Sequence, residues 1–289
     1  MCQGCLDRKE TFSMSTWLIT GCSSGLGRAL AEAAIDTGHN VVVTARDVTT
    51  VAELADATPD RVLAADLDVT KPDQVTSAVR VAEKRFGGVD VLVNNAGYGY
   101  RSAVEEGDDA DIRALFETHF FGSVAMIKAV LPGMRARRSG SIVNISSITV
   151  QLTPVASGYY SAAKAALEGM SGALRGEVAP LGISVIVVEP GAFRTDFAGR
   201  SLTQSTTVID DYAATAGQRR IENDTMHGNQ QGDPAKAAAA IITAVESPEP
   251  PGFLLLGPDA LALYRYIAEQ RANEIATWEQ LSAGTDLDS

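Results

Sequence analysis

Six short runs that are apolar along their length ("TWLIT", "NVVVTA", "RVLAADLDV", "VDVLVNN", "GSIVNISS" and "ISVIVVEP") recur through residue 190, each separated from the next by a segment of helical period. Strands of that kind have no solvated face, so helices must cover both sides, and a strand–helix–strand repeat makes the strands parallel. Right-handed crossovers then wind the sheet in both directions from its middle. The expected fold class is α/β, a single doubly wound parallel sheet flanked by helices on both faces. A seventh strand, "GFLLLG", follows a helix in "DPAKAAAAIITAVES", which Asp233 caps and Pro234 starts.

No repeat, low-complexity stretch or linker interrupts the pattern through residue 191, so residues 14–289 are expected to form one domain. Residues 1–13, with a CxxC at Cys2 and Cys5, read as a disordered leader. One such pair without a second, or nearby histidines, does not make a metal site, and no metal is expected. Residues 196–232 are polar, rich in Thr, Gly and Asp, and too long for an ordinary connection; such segments serve as flaps over ligands. A helical tail is expected from about 258.

A net charge of -12 argues against nucleic acid, whose phosphates this surface would repel. The basic cluster Arg135–Arg138 is too short to offset it. The longest apolar run, "AAAAIITAV" at 237–245, falls short of the roughly 18 residues that span a bilayer, and no membrane partner is expected. The first residues lack a basic stretch followed by an apolar one, which predicts a cytoplasmic protein with reduced thiols.

"TGCSSGLG", Thr20–Gly27, follows the first strand and opens the first helix. Gly21, Gly25 and Gly27 allow a tight turn and close backbone approach, and the helix N-terminus beyond favours a pyrophosphate. This is the nucleotide loop of a Rossmann fold, although the spacing G-x-x-x-G-x-G differs from the general G-x-G-x-x-G. At the end of the second strand, Ala45 stands where a reader of a ribose 2'-hydroxyl would be acidic, and Arg46 follows. A guanidinium takes a phosphate bidentately, so NADP(H) is the preferred cofactor and NAD(H) the alternative. Asp47 next door counts against that preference.

"GYYSAAK" places Tyr160 four residues before Lys164, on one face of a predicted helix, whereas Tyr159 has Ala163 at that spacing. With seven tyrosines and six lysines in the chain, chance supplies about 0.15 such pairs. A free phenol titrates near pH 10, so proton transfer at neutrality needs a nearby positive charge. "NISS", ending the preceding strand with Ser146 and Ser147, could supply a hydroxyl donor.

With these pieces the chain, over about residues 16–260, resembles the short-chain dehydrogenase/reductase family. "TGCSSGLG", "NNAG" at 94–97, "NISS", "YSAAK" and "EPGAFRT" stand in that family's order and spacing. The resemblance implies a general acid/base at Tyr160, with Lys164 lowering its pKa and holding the nicotinamide ribose, and Ser147 polarising the substrate oxygen; Ser146 is structural. It implies cofactor contacts from the loop residues Gly21, Ser23, Ser24, Gly25, Leu26 and Gly27, from Asp68 and Val69 at the adenine, and from Asn95, Ala96 and Gly97. Pro190, Gly191 and Thr195 would shape the nicotinamide pocket. The reaction implied is hydride transfer between nicotinamide and a carbonyl or secondary alcohol. Homodimers or homotetramers pairing through helices at about 108–138 and 158–179 are implied as well. Within the family, "TGCSSGLG", "TARD" and "VEPGAFRTDF" look most like the hydroxysteroid dehydrogenase-like branch.

One position departs from the family. In "LFETHFFG", His119 fills the slot of an asparagine thought to hold a water that passes protons from the active lysine to solvent. A neutral histidine has one donor and one acceptor and can hold the same water, and an imidazole near its ordinary pKa would make turnover pH-sensitive. The departure also admits a rival reading, a cofactor-binding or sensing protein that kept the fold and lost turnover. Phe193, Phe197, Leu202, Leu152, Val155 and Tyr159 are candidates for an apolar substrate wall.

Overall fold

A computed structural model describes residues 14–195, 197, 199, 201–221, 228 and 230–287; the leader with Cys2 and Cys5 lies outside the described residues. In chain order the elements are β1 (Thr16–Ile19), α1 (Gly25–Asp36), β2 (Asn40–Ala45), α2 (Ala52–Ala57), β3 (Val62–Asp66), α3 (Pro72–Phe86), β4 (Val91–Asn94), β5 (Gly99–Arg101), α4 (Asp109–Phe116), α5 (Gly122–Arg137), β6 (Gly140–Ile145), α6 (Thr149–Leu152), α7 (Gly158–Val178), β7 (Ile183–Pro190), β8 (Leu202–Gln204), α8 (Pro234–Glu246), β9 (Phe253–Leu256) and α9 (Pro258–Ala283).

The seven anticipated strands form one sheet in the order β3-β2-β1-β4-β6-β7-β9, and every pairing is parallel. Alternation along β1 shows why the runs are apolar throughout. Trp17 and Ile19 pack on one face with Leu30 of α1 and Ile241 of α8. Leu18 packs on the other with Met126 and Val130 of α5 and Leu174 of α7. The sheet is therefore buried on both sides, as a doubly wound fold requires. Winding reverses between β1 and β4, which opens a crevice beyond their C-terminal ends.

The segment expected as one helix at 108–138 is divided. Asp108 caps α4 by accepting from the amides of Ala110 and Asp111, a π turn occupies Glu117–Phe121, and α5 follows. The π turn inserts an extra residue per turn and swings His119 into the interior, where 1% of it is exposed. The whole stretch is long and apolar enough to cross a membrane by composition. Its Met126, Ile127, Val130 and Met134 are instead core residues against the sheet.

The polar segment at 196–232 also holds more order than its composition announces. Among its described residues, β8 pairs in parallel with β5. Glu106, 2% exposed, accepts from the amide of Ile209 at 2.9 Å and from Arg220 at 2.7 Å. A buried carboxylate so partnered pins residues 205–220 to the loop after β5. Asp233 caps α8 through the amide of Ala235, with Pro234 in the first turn, as the sequence indicates.

Candidate active site

A cavity of about 1130 Å³ opens beyond the C-terminal ends of β1, β4, β6 and β7. Its first wall is the turn from β1 into α1. Gly21 has a φ of 73°, and α1 begins at Gly25 without a side-chain cap, leaving first-turn amides available at a wall built from Gly21, Ser23, Ser24, Gly25 and Leu26. This cradle fits a pyrophosphate. Gly27 is the one predicted contact that does not line the cavity. It lies behind the wall, where a Cβ would fall 2.2 Å from Asn95 Nδ2 and 2.4 Å from the Gly21 carbonyl oxygen. Asn95 braces the turn, donating to the carbonyls of Thr20 at 2.9 Å and Gly21 at 3.0 Å. Cys22 is buried here, its Sγ donating to the Ile19 carbonyl, and burial pushes the thiol up to about 12, which makes it unreactive.

At one end of the cavity Arg46 stands with Asp68, Val69 and Lys71. Asp68 is held below the usual carboxylate range, its burial outweighed by hydrogen bonds from Thr70 and the fields of Lys71 and Arg46. Asp47, the acid expected to oppose a phosphate, instead accepts from the amide and hydroxyl of Thr49 at 3.0 and 2.6 Å. It does not line the cavity. Two cations without that acid fit a 2'-phosphate. Lys71 is a cavity-lining residue the sequence reading missed; a basic residue shortly beyond the end of β3 was the available signal.

At the other end stand Ser147, Tyr160 and Lys164. Ser147 lies two residues beyond the end of β6, and helix α7 carries Tyr160 and Lys164 one turn apart on its buried face. Tyr160 is 8% exposed. Burial pushes its phenol up to about 12, opposed by Ser147 and not by Lys164, so the lowering by Lys164 that the resemblance implies is not what this structure shows. Thr149, also unforeseen, donates its hydroxyl to Ser147 Oγ at 3.0 Å and fixes that side chain. Lys164 Nζ donates to the Ile145 carbonyl at 2.7 Å and sits 5.9 Å from the centroid of the Tyr160 ring. Burial lowers the ammonium to about 7, against the field of Glu168. Ser146 is braced by donating to Glu168 Oε1 at 2.5 Å.

His119 approaches this group from the π turn. Its Nε2 lies 2.7 Å from the Tyr98 carbonyl oxygen, while Nδ1 has no partner among the described residues. Burial, with the charge of Lys164, holds its pKa well below the ordinary value. The imidazole is thus neutral, and the pH sensitivity expected of a freely titrating histidine does not arise. Gly97 is glycine because a Cβ there would meet His119 Cε1 at 2.4 Å.

The remaining predicted contacts, Ala96, Pro190, Gly191 and Thr195, line the cavity as well. Of the apolar candidates, Leu152, Phe193 and Phe197 line it and Leu202, Val155 and Tyr159 do not. Tyr159 turns its hydroxyl to the Val104 carbonyl at 2.6 Å. Asp259 of α9 is an unpredicted wall residue; it accepts from the Ala192 amide at 2.7 Å and holds the strand-end loop in place.

The sequence model of the family described as short chain dehydrogenase matches residues 15–206. An oxidoreductase of Botryotinia fuckeliana is 39% identical over 267 residues, 92% of this chain and 97% of the relative. The crystal structure of a short-chain dehydrogenase from Streptomyces avermitilis, 44% identical, superposes with a TM-score of 0.88 over 96% of this chain and 100% of that one. A short chain dehydrogenase from Burkholderia cenocepacia, solved in complex with NADP, is 25% identical with a TM-score of 0.71, covering 92% and 97%. None of these three singles out the hydroxysteroid dehydrogenase-like branch. With the family's sequence model spanning most of the sheet and a relative matched over nearly its whole length, this chain belongs to the short-chain dehydrogenase/reductase family of oxidoreductases.

Proposed function

We propose that the chain is an NADP(H)-dependent oxidoreductase acting on a carbonyl or secondary alcohol, with Tyr160 as general acid/base. One observation carries the reading: Tyr160, with Ser147 beside it and Lys164 one turn further along α7, faces the same cavity as the uncapped amides of α1. The bound cofactor supplies or accepts the hydride. In the reducing direction the Tyr160 hydroxyl gives its proton to the substrate oxygen, and Ser147 holds that oxygen with a hydrogen bond. Lys164, released from the Ile145 carbonyl, holds the ribose and offers its charge to the phenolate that proton transfer leaves. Leu152, Phe193 and Phe197 give the substrate an apolar wall.

Arg46 and Lys71 favour NADP(H) at the adenosine end, and the Burkholderia relative's complex with NADP supports a nicotinamide dinucleotide. His119 Nε2 stands between the Tyr98 carbonyl oxygen at 2.7 Å and the Tyr98 amide nitrogen at 3.1 Å; in the tautomer that donates to the carbonyl, Nδ1 is an acceptor able to hold the water of a proton relay. Assembly as a homodimer or homotetramer through α4, α5 and α7 belongs to the same proposal. A panel of ketones and aldehydes assayed with NADPH and NADH side by side tests it. Oxidation of NADPH by at least one carbonyl, faster than of NADH, is the expected result; tight NADPH binding with no carbonyl reduced would favour a sensing protein.

A further inference from the structure

Glu168, Glu189 and Gln151 form a polar cluster next to the catalytic end of the cavity, yet none of the three lines it. Glu189, near the end of β7, is 0% exposed. Gln151 of α6 donates to its Oε1 at 2.9 Å. Its Oε2 receives no donor from the described residues, and the Glu168 carboxyl is the acidic group whose proximity raises its pKa. Glu168 takes the Ser146 hydroxyl on Oε1 and stands one turn beyond Lys164 on the same face of α7. With Glu189 fully buried and the half-buried Glu168 beside it, ionising both is unfavourable near neutrality; one proton between them turns repulsion into a hydrogen bond.

We propose that Glu168 and Glu189 are positioning residues for Lys164, a carboxyl–carboxylate pair that shares one proton and supplies the buried ammonium with its counter-charge. This rests on the reading of Lys164 as the electrostatic helper of Tyr160. Every charged or titratable group facing the pair is consistent with the assignment. On α7 this is Lys164, one turn before Glu168. The loop after β6 brings a hydroxyl, that of Ser146. From α9, Arg271 comes within 3.5 Å of Gln151 Oε1 and reaches the pair only through that amide. Burial pushes Glu189 up to about 8, with Gln151 opposing and Glu168 adding to the rise. Glu168 is in turn the group that resists the loss of the Lys164 charge. At neutral pH the pair carries a single negative charge opposite a lysine that burial alone would discharge.

The test reads Lys164 directly, in protein without added cofactor. Trace acetic anhydride labels amines in proportion to their unprotonated fraction, and peptide mass spectrometry over pH 5.5–9 gives a titration midpoint for Lys164. Wild type should have the highest midpoint. Glu189→Gln leaves a pair fixed at one negative charge and lowers the midpoint slightly. Glu168→Gln removes the nearer carboxylate and lowers it by about one pH unit or more. Should Glu168→Gln not fold, the direction of the Glu189→Gln shift decides. Coincident midpoints, or a midpoint raised in either variant, would overturn the inference. A wild type that labels in the predicted order yet reduces no carbonyl would instead count against the functional reading.

Discussion

His119 meets Tyr160 edge-on, the ring centroids 5.4 Å apart and the planes at 88°. The imidazole is held at the Tyr98 backbone and burial disfavours its charged form, so the proposed relay uses Nδ1 as an acceptor and not a charge. Asparagine keeps an acceptor at this place and alanine does not. Reductase rates of His119→Asn should therefore stay near wild type, while His119→Ala falls by roughly tenfold, the scale of one hydrogen bond. Neither wild type nor His119→Asn should show a limb near pH 6.5 that the other lacks. Equal rates for all three proteins would sink the relay.

Arg46 and Lys71 share one wall with Asp68, while Asp47 is turned to Thr49. On the proposed reading, Arg46→Ala removes a bidentate partner for a 2'-phosphate and nothing that NADH uses. Fluorescence titration should show NADPH binding weakened by about 10- to 100-fold, the range of a hydrogen bond to a charged group. NADH binding should hold steady. Parallel losses for both nucleotides would mean that Arg46 does not read the phosphate.

A Cβ at Gly97 would press on His119 Cε1 at 2.4 Å. Gly97→Ala should cost about 1–3 kcal/mol in urea denaturation, as overpacking of a tight interior does. Turnover should fall with it, because the ring that must move also packs on Tyr160. Unchanged stability would mean that the π turn yields easily.

Glu189 makes a signed prediction for stability. Its folded pKa is raised to about 8, above that of an unfolded glutamate. The folded state therefore binds the extra proton, and this contribution is full below about pH 4.3 and lost as pH climbs through about 8. Denaturation of wild type at pH 5, 6.5 and 8 should show stability declining across that window. Glu189→Gln, which cannot titrate, should flatten the decline; equal slopes would contradict the raised pKa.

The sheet was legible because its strands are apolar on both faces, and Trp17 and Leu18 show the reason by packing into opposite cores. The glycine turn and the Tyr160–Lys164 pair were legible because both depend on spacing within one element. What spacing cannot show is a partner from elsewhere in the chain. Glu168 reads as an ordinary helix acid until β7 brings Glu189 to it, and Gln151 reaches Glu189 across 38 positions. The π turn carries no compositional mark, since its residues would fit an α-helix equally well. Strands β5 and β8, three residues each, are too short for any period to register.

The central claim is that Tyr160 moves the proton. Steady-state NADPH oxidation by wild type and Tyr160→Phe, with a carbonyl that wild type reduces and with NADPH affinity measured in parallel, tests it most directly. Losing a positioned acid should lower kcat by at least about 100-fold, with NADPH affinity retained. A Tyr160→Phe protein that reduces the same carbonyl at the wild-type rate would contradict the account.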